Sequence, residues 1–332
     1  MFGFLYKALA AAALAAFVGL YQKNRNAVCK SKRRLDGRTA LVTGGTDGIG
    51  LQIAVDFASR GARVLVCSPF RKEGADALKV IIKESGNKNV EFKHLNLASL
   101  ESVRLFASDV TKSESRLDIL VNNAGIVTKG SSRTKDGLNF LMQVNYFGHY
   151  LLTILLLPLL IKTGRVSEPS RIVNTGSMLH HVGYIDVRNL NGPTAFWRLS
   201  QIYGSSKLAL ITFTFELARR LKGSDVVVNA VDPGVVGTNL LYGIGLVFGA
   251  IMKVCIGIMY KTPWEGAQTA IYAAVDDDAG KVSGGYFSNC GITAANQRAY
   301  DGKTGIALWE ESARLVNLSE EELKQCLKGV QV

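Results

Sequence analysis

The sequence predicts an α/β fold, a doubly wound parallel sheet with helices on both faces. Three observations carry this. Short β-type apolar runs alternate with segments of helical period, and a glycine-rich turn joins the first run to the first helix. The 332 residues, 48% hydrophobic and 20% charged, suit one large folded domain rather than a disordered chain.

Residues Met1 to Tyr21 are almost wholly apolar, interrupted by Lys7. As a helix this run would span about 31 Å, close to a bilayer core. Lys23, Arg25, Lys30, Lys32, Arg33 and Arg34 follow it. Basic charge on that side favours an anchor whose following domain stays in the cytosol, over a cleaved signal peptide with its charge in front. Lys7 can snorkel from near the helix end. The cluster makes up part of the net charge of +12 and suits anionic headgroups. No nucleic-acid motif accompanies the charge, so nucleic acid is not an expected partner. The expected organisation is an anchor and basic segment over 1–36, a catalytic domain over 37–300, and a C-terminal helical tail over 301–332.

The first strand, Thr39 to Val42, runs into Thr43-Gly44-Gly45-Thr46-Asp47-Gly48-Ile49-Gly50 and then a helical pattern. Gly44, Gly48 and Gly50 let the backbone turn tightly and approach a pyrophosphate, which the helix N-terminus then faces with free N–H groups. This is a Rossmann-type dinucleotide loop. Gly61 to Val66 reads as the second strand. The stretch Cys67-Ser68-Pro69-Phe70-Arg71-Lys72 lacks the acid that would hold a ribose 2′-hydroxyl. Arg71 and Lys72 suit a 2′-phosphate, which favours NADP over NAD. Val90 to Leu97 reads as the third strand, with Asn96 at its exit, and Asp118 to Val121 as the fourth, leading into Asn122-Asn123-Ala124-Gly125.

Val144 to Gly148 begins an apolar helix that continues to Ile161. Arg171 to Asn174 is the fifth strand, ending at Thr175-Gly176-Ser177. His180 and His181 lack a third ligand at metal spacing, so a pocket-wall or surface role is expected and no metal site. Tyr203 and Lys207 lie one helical turn apart on one face. An ammonium a few Å from the phenol is worth about 4 kcal/mol at an effective dielectric of about 20. That is about three pKa units, enough to make a Tyr a working acid or base. Val226 to Val231 is the sixth strand, followed by Asp232-Pro233-Gly234-Val235-Val236-Gly237-Thr238, and Gly284 to Phe287 reads as the last. Leu240 to Tyr260 is apolar save Lys253 and reads as a substrate lid or interfacial helix rather than a second span. Thr262-Pro263-Trp264-Glu265 and Ser319 to Glu322 are helix-start signatures. The five cysteines are scattered without CxxC spacing, which points to a reducing compartment.

Thr-Gly-x-x-x-Gly-Ile-Gly, Asn-Asn-Ala-Gly, a Ser and Tyr-x-x-x-Lys, in this order, resemble the short-chain dehydrogenase/reductase family over about residues 37 to 300. The resemblance implies reversible hydride transfer between a nicotinamide cofactor and an alcohol or carbonyl. Tyr203 would exchange the proton, Lys207 lower its pKa and hold the ribose, Ser177 position the oxygen, and Asn145 maintain a water relay. Gly44, Thr46, Gly48, Ile49, Gly50, Arg71, Lys72, Asn96, Leu97, Asn122, Ala124, Gly125, Tyr203, Lys207, Pro233, Gly234, Val236 and Thr238 would line the cofactor, NADP with NAD as the alternative.

Leu97 to Leu100 and Tyr146 to His149 resemble membrane-bound retinol dehydrogenases. Thr43 to Gly50 and Val231 to Val236 resemble the X-linked dehydrogenase/reductase branch, which acts on polyprenols. These likenesses imply a hydrophobic isoprenoid alcohol or aldehyde, with a sterol as alternative, in the endoplasmic reticulum membrane with the domain facing the cytosol. They also imply pairing into homo-oligomers through the helices near Asn145 and Tyr203. A rival of another class is a non-catalytic, membrane-tethered scaffold binding cofactor or lipid.

Overall fold

In the computed structural model, residues 26–127, 132–192, 199–237 and 261–328 are described. The expected anchor helix over residues 1–21, the apolar segment 240–260 and Thr238 lie outside them.

Eight strands form one sheet in the order β3-β2-β1-β4-β5-β6-β7-β8. They are β1 (Thr39–Thr43), β2 (Arg63–Ser68), β3 (Val90–His94), β4 (Ile119–Asn122), β5 (Ser170–Thr175), β6 (Val226–Asp232), β7 (Gly285–Ser288) and β8 (Gly291–Thr293). Every neighbouring pair through β7 is parallel. β1 and β4 are buried along their whole length, which is why they read as unbroken apolar runs. β8 corrects the expectation that the sheet ends at β7. It pairs antiparallel through a two-residue turn, with Asn289 and Cys290 both at positive φ of 52° and 55°. Three residues with one large apolar side chain, Ile292, are too short to show a strand period.

One face of the sheet is covered by α1 (Gly48–Ser59), α2 (Arg71–Ser85) and, across the switch, α6 (Pro263–Val275). Ile53, Phe57, Ile81 and Ile271 close that core. The other face carries α3 (Leu100–Ser113), α4 (Phe140–Thr163) and α5 (Leu199–Arg220). Helix starts follow local chemistry: Asp47 accepts from Gly48 N, Ser99 from Ser102 N, and the Thr262/Glu265 capping box forms as the sequence predicts.

α4 has the length and composition of a membrane span, yet Leu151, Leu152, Ile154, Leu156, Leu157 and Leu160 are fully buried, so it is the central helix of this core. The tail forms α7 (Gly302–Leu315) and α8 (Glu320–Cys326). It is no appendage. Leu308, Trp309, Val316 and Cys326 join the core of α4 and α5. Tyr146 and Ser312 share a 2.7 Å hydroxyl hydrogen bond, and Arg104 pairs with Glu322 at 2.7 Å. The tail therefore packs on the helices that the resemblance assigns to subunit pairing.

The basic segment is also partly built into the body. Arg33 pairs with Asp277 at 2.7 Å and with Glu168, and Arg34 with Asp36 at 2.8 Å. These two cations are engaged by protein carboxylates.

Candidate active site

Strand order reverses between β1 and β4, and the candidate residues collect at the carboxyl ends of the strands around that point. After β1, Gly44 and Gly48 adopt φ of 63° and 55°. These are backbone states that glycine takes at little cost. A Cβ on Gly50 would fall on the carbonyl of Gly44, and one on Gly44 would lie 3.0 Å from the Ala124 Cα. The loop is thus a bare-backbone cradle at the N-terminus of α1, with half-buried Thr46 and Ile49 beside it. It fits a pyrophosphate.

Arg71 and Lys72 open α2, three and four residues past the end of β2. Both are exposed, and no ion pair holds either among the described residues. Asn96 and Leu97 follow β3. The Asn96 Oδ1 accepts from Ala98 N at 3.0 Å, and Leu97 packs tightly against Gly148. Asn122 is placed differently from the expectation. It is fully buried, and its Nδ2 donates to Thr153 Oγ1 at 2.8 Å and Asn174 Oδ1 at 2.7 Å. It ties the sheet to α4 rather than facing the cleft. Asn123 does the linking instead, with Nδ2 donating to the Thr43 carbonyl at 3.0 Å, while Thr43 Oγ1 accepts from the N–H groups of Asn123 and Ala124. After β6, Pro233 is buried and Gly234, at φ 77°, donates to Asp232 at 2.8 Å. Val236 and Ile49 both border Gly266, which joins the β6 exit to the glycine loop.

The acid–base group gathers beside this cradle. Tyr203 is 8% exposed, with the Ser177 hydroxyl beside its own. Lys207 is buried, with Nζ 5.8 Å from the Tyr203 ring centre and donating to the Thr175 carbonyl at 2.8 Å. Gly125 borders both Lys207 Nζ and Asn145 Oδ1, where a Cβ would meet them at 3.4 and 3.6 Å. Asn145 sits in a π-helical turn, Gln143–Phe147, within α4. Such turns mark sites where a helix must re-aim a side chain. Its Oδ1 accepts from Ile126 N at 2.8 Å, and its Nδ2 donates to Ile126 O and Ser206 Oγ.

Burial changes the electrostatics expected from spacing. It pushes the Tyr203 phenol up to about 12, opposed by the Ser177 hydrogen bond. It pulls the Lys207 ammonium down to about 8. The expected lowering of the phenol by the neighbouring amine is therefore reversed in direction. Burial sets the direction of the shift, and the Lys207 amine is turned toward the Thr175 carbonyl.

Two histidines outside the expected set of site residues are structural parts of the site. His149 is fully buried, with Nε2 3.0 Å from Thr43 Oγ1 and Nδ1 3.3 Å from the Asn145 carbonyl. Burial and the nearby Lys207 pull its pKa down to about 3, so it is neutral. It links the root of the glycine loop to the π turn. His180 is buried as well: Nδ1 lies 2.7 Å from the Ser177 carbonyl and Nε2 accepts from Asn296 N at 3.0 Å. It braces Ser177 against the loop after β8, whereas His181 is exposed at the surface.

Residues 38–245 match the short chain dehydrogenase family. The chain belongs to this family. It is an NAD(P)-dependent oxidoreductase acting on CH–OH donors. Among its relatives, retinol dehydrogenase 13 of Homo sapiens is 39% identical over 301 residues, covering 90% of each chain. Retinol dehydrogenase 11 of Mus musculus is 40% identical over 294 residues, 88% of this chain and 90% of the relative. Among solved structures, the NADP active-site complex of Pseudomonas aeruginosa RhlG aligns with a TM-score of 0.62 and 29% identity. That alignment covers 77% of this chain and 95% of RhlG.

Proposed function

We propose that this short chain dehydrogenase interconverts a retinoid-type isoprenoid alcohol and its aldehyde with NADP(H), at a membrane to which residues 1–36 tether it. The observation that carries the reading is the convergence of Ser177, Tyr203 and Lys207 beside a backbone cradle sized by Gly44, Gly48 and Gly50. The relatives named for retinol support the substrate class. The exposed Arg71 and Lys72 pair, and the NADP complex of RhlG, support NADP.

The cofactor would supply or accept the hydride. The glycine loop and the α1 N-terminus would hold its phosphates, Asn96, Leu97, Ala124 and Gly125 its flanks, and Pro233 to Val236 its far end. Ser177 and Tyr203 would both reach the substrate oxygen. At neutral pH the Tyr203 phenol carries its proton, so it is ready to donate to an oxygen gaining charge as a carbonyl is reduced. Alcohol oxidation needs that proton to leave the phenol first. Lys207, mostly protonated at that pH, would bind the ribose and stabilise the phenolate left after transfer. Asn145 would hold the relay that reprotonates it. Buried paired ionisable groups beside an open cradle have no use in a passive scaffold, because each costs desolvation energy.

A substrate panel tests this on the full chain in detergent: retinal, a polyprenal and a steroid ketone, each with NADPH and NADH. Retinal or polyprenal reduction with NADPH is expected to dominate. Turnover of the steroid alone would overturn the substrate class, and equal use of NADH would overturn the NADP assignment.

A further inference from the structure

We propose that the carboxyl-end rim of the sheet, where the catalytic cleft opens, is the face that lies against the bilayer. The proposal rests on the reading that residues 1–36 tether the chain to a membrane, and adds which way the domain then faces.

The first argument is where the chain leaves the fold. Asn26 Nδ2 donates to Glu265 Oε1 at 3.3 Å, Ala27 N to Asn289 Oδ1 at 2.8 Å, and Cys29 N to Gln268 Oε1 at 3.1 Å. The segment thus starts between the first turns of α6 and the β7–β8 turn. It then runs down α6, reaching Asp277 through Arg33. α6 has 13 residues and is about 20 Å long, so it serves as a ruler between the two ends of the sheet. The apolar sequence 1–21 therefore joins the domain at the catalytic end.

The second argument is that the other long apolar stretch leaves from the same corner. Residues 237 and 261 flank it. Gly237 N donates to Lys261 O at 3.1 Å, Lys261 N donates to Val235 O at 2.9 Å, and Lys261 Nζ lies 3.4 Å from Asn289 Oδ1. One carboxamide oxygen, that of Asn289, accepts from both Ala27 and Lys261. Its residue is held at positive φ by the turn, so the side chain is aimed by the backbone. The described residues that border two apolar stretches of sequence, 1–21 and 240–260, are thereby moored to one point.

The third argument is the contrast between the ends. Around this corner Val28, Val235, Trp264 and Ile292 are exposed, and Met178 and Val182 continue the apolar rim beside Ser177. The opposite end of α6 carries Asp276, Asp277 and Asp278 next to Glu168. Arg33, Arg38 and Lys281 pair with these carboxylates, so that end is a polar, ion-paired surface. Trp at a membrane boundary, with Lys30 and Lys261 close by, is the pattern of an interfacial surface. A bilayer on this rim would deliver an apolar alcohol or aldehyde to the cleft without passage through water.

The test uses the full chain bound to phosphatidylcholine vesicles with and without brominated acyl chains, read by tryptophan fluorescence. Bromolipid is expected to quench a component of the emission that Trp264→Phe removes. A tryptophan placed at the acidic end, Asp278→Trp, is expected to add emission that bromolipid leaves untouched. Vesicle-bound protein whose quenching is the same with and without Trp264, or whose Asp278→Trp signal is quenched, would overturn the orientation while leaving the tether standing. Failure to bind vesicles at all would overturn the tether and the orientation together.

Discussion

On the β1–β3 side of the sheet the candidate site is made of backbone. Gly44 and Gly48 are at positive φ, Gly50 leaves no room for a side chain, and the flanking cations Arg71 and Lys72 stand in solvent. On the β4–β6 side it is made of buried side chains. Tyr203, Lys207, Asn145 and His149 are each withdrawn from water, and the last three are held by hydrogen bonds of 2.8 to 3.0 Å. The first side recognises by shape and by N–H groups whose charge never changes. The second holds groups whose protonation is set by burial, so its properties depend on what surrounds it. Changes on the two sides should accordingly have different signatures: loss of cofactor affinity on one, loss of proton transfer and altered pH dependence on the other.

The largest effect is expected on the buried side. Lys207→Met keeps the length of the stem and removes the ammonium, and should lower turnover by about 10²–10⁴-fold. Steady-state kinetics within threefold of the parent chain would place the amine outside the chemistry. Next comes Gly50→Ala, whose methyl group would press on the Gly44 carbonyl. Overpacking of this kind costs about 1–3 kcal/mol. Thermal unfolding should shift down and NADPH titration should show weakened binding. An alanine that binds NADPH normally would mean that the loop has slack.

A smaller, pH-dependent effect separates the sides further. The folded pKa of His149, about 3, lies below its ordinary value near 6.5. Between those values the unfolded chain binds the extra proton. The contribution to stability is therefore complete above about pH 6.5 and is lost as the pH falls toward 3. His149→Phe should flatten the fall in melting temperature over that window, and an unchanged slope would assign the fall to other groups. The smallest effect is expected at the exposed cations. Arg71→Ala with Lys72→Ala should raise the KM for NADPH by about tenfold, equal to about 1.4 kcal/mol. It should leave the KM for NADH unchanged. A parallel rise in both would show that the two cations act on something other than a 2′-phosphate.

The same contrast explains what could be read from the sequence. The glycine loop and the parallel sheet implied by alternating elements are local patterns that fold where the pattern says, and Ser177, Tyr203 and Lys207 lie beside that loop. β8 escaped because Gly291–Thr293 carries one large apolar residue. The packing of the tail escaped because Trp309 and Cys326 meet their partners on α4 and α5 only in three dimensions. Asn122 was assigned to the cofactor because its motif borders the cleft, but its side chain satisfies Thr153 and Asn174 inside the sheet. The direction of the Tyr203 shift depends on burial, which a four-residue spacing does not encode. The bracing roles of His149 and His180 escaped because the partners that define them, Thr43 Oγ1 and Asn296 N, meet them only in three dimensions.

The central claim is that the Tyr203 phenol moves the proton while the backbone cradle holds the cofactor independently. Tyr203→Phe removes one oxygen and leaves the ring packed. NADPH affinity and retinal turnover should be measured on the same preparation in detergent. The account predicts NADPH binding within about threefold of the parent chain and turnover reduced by about 10³-fold or more, at the strong end of acid–base effects. Turnover within tenfold of the parent, with NADPH still bound, would contradict it.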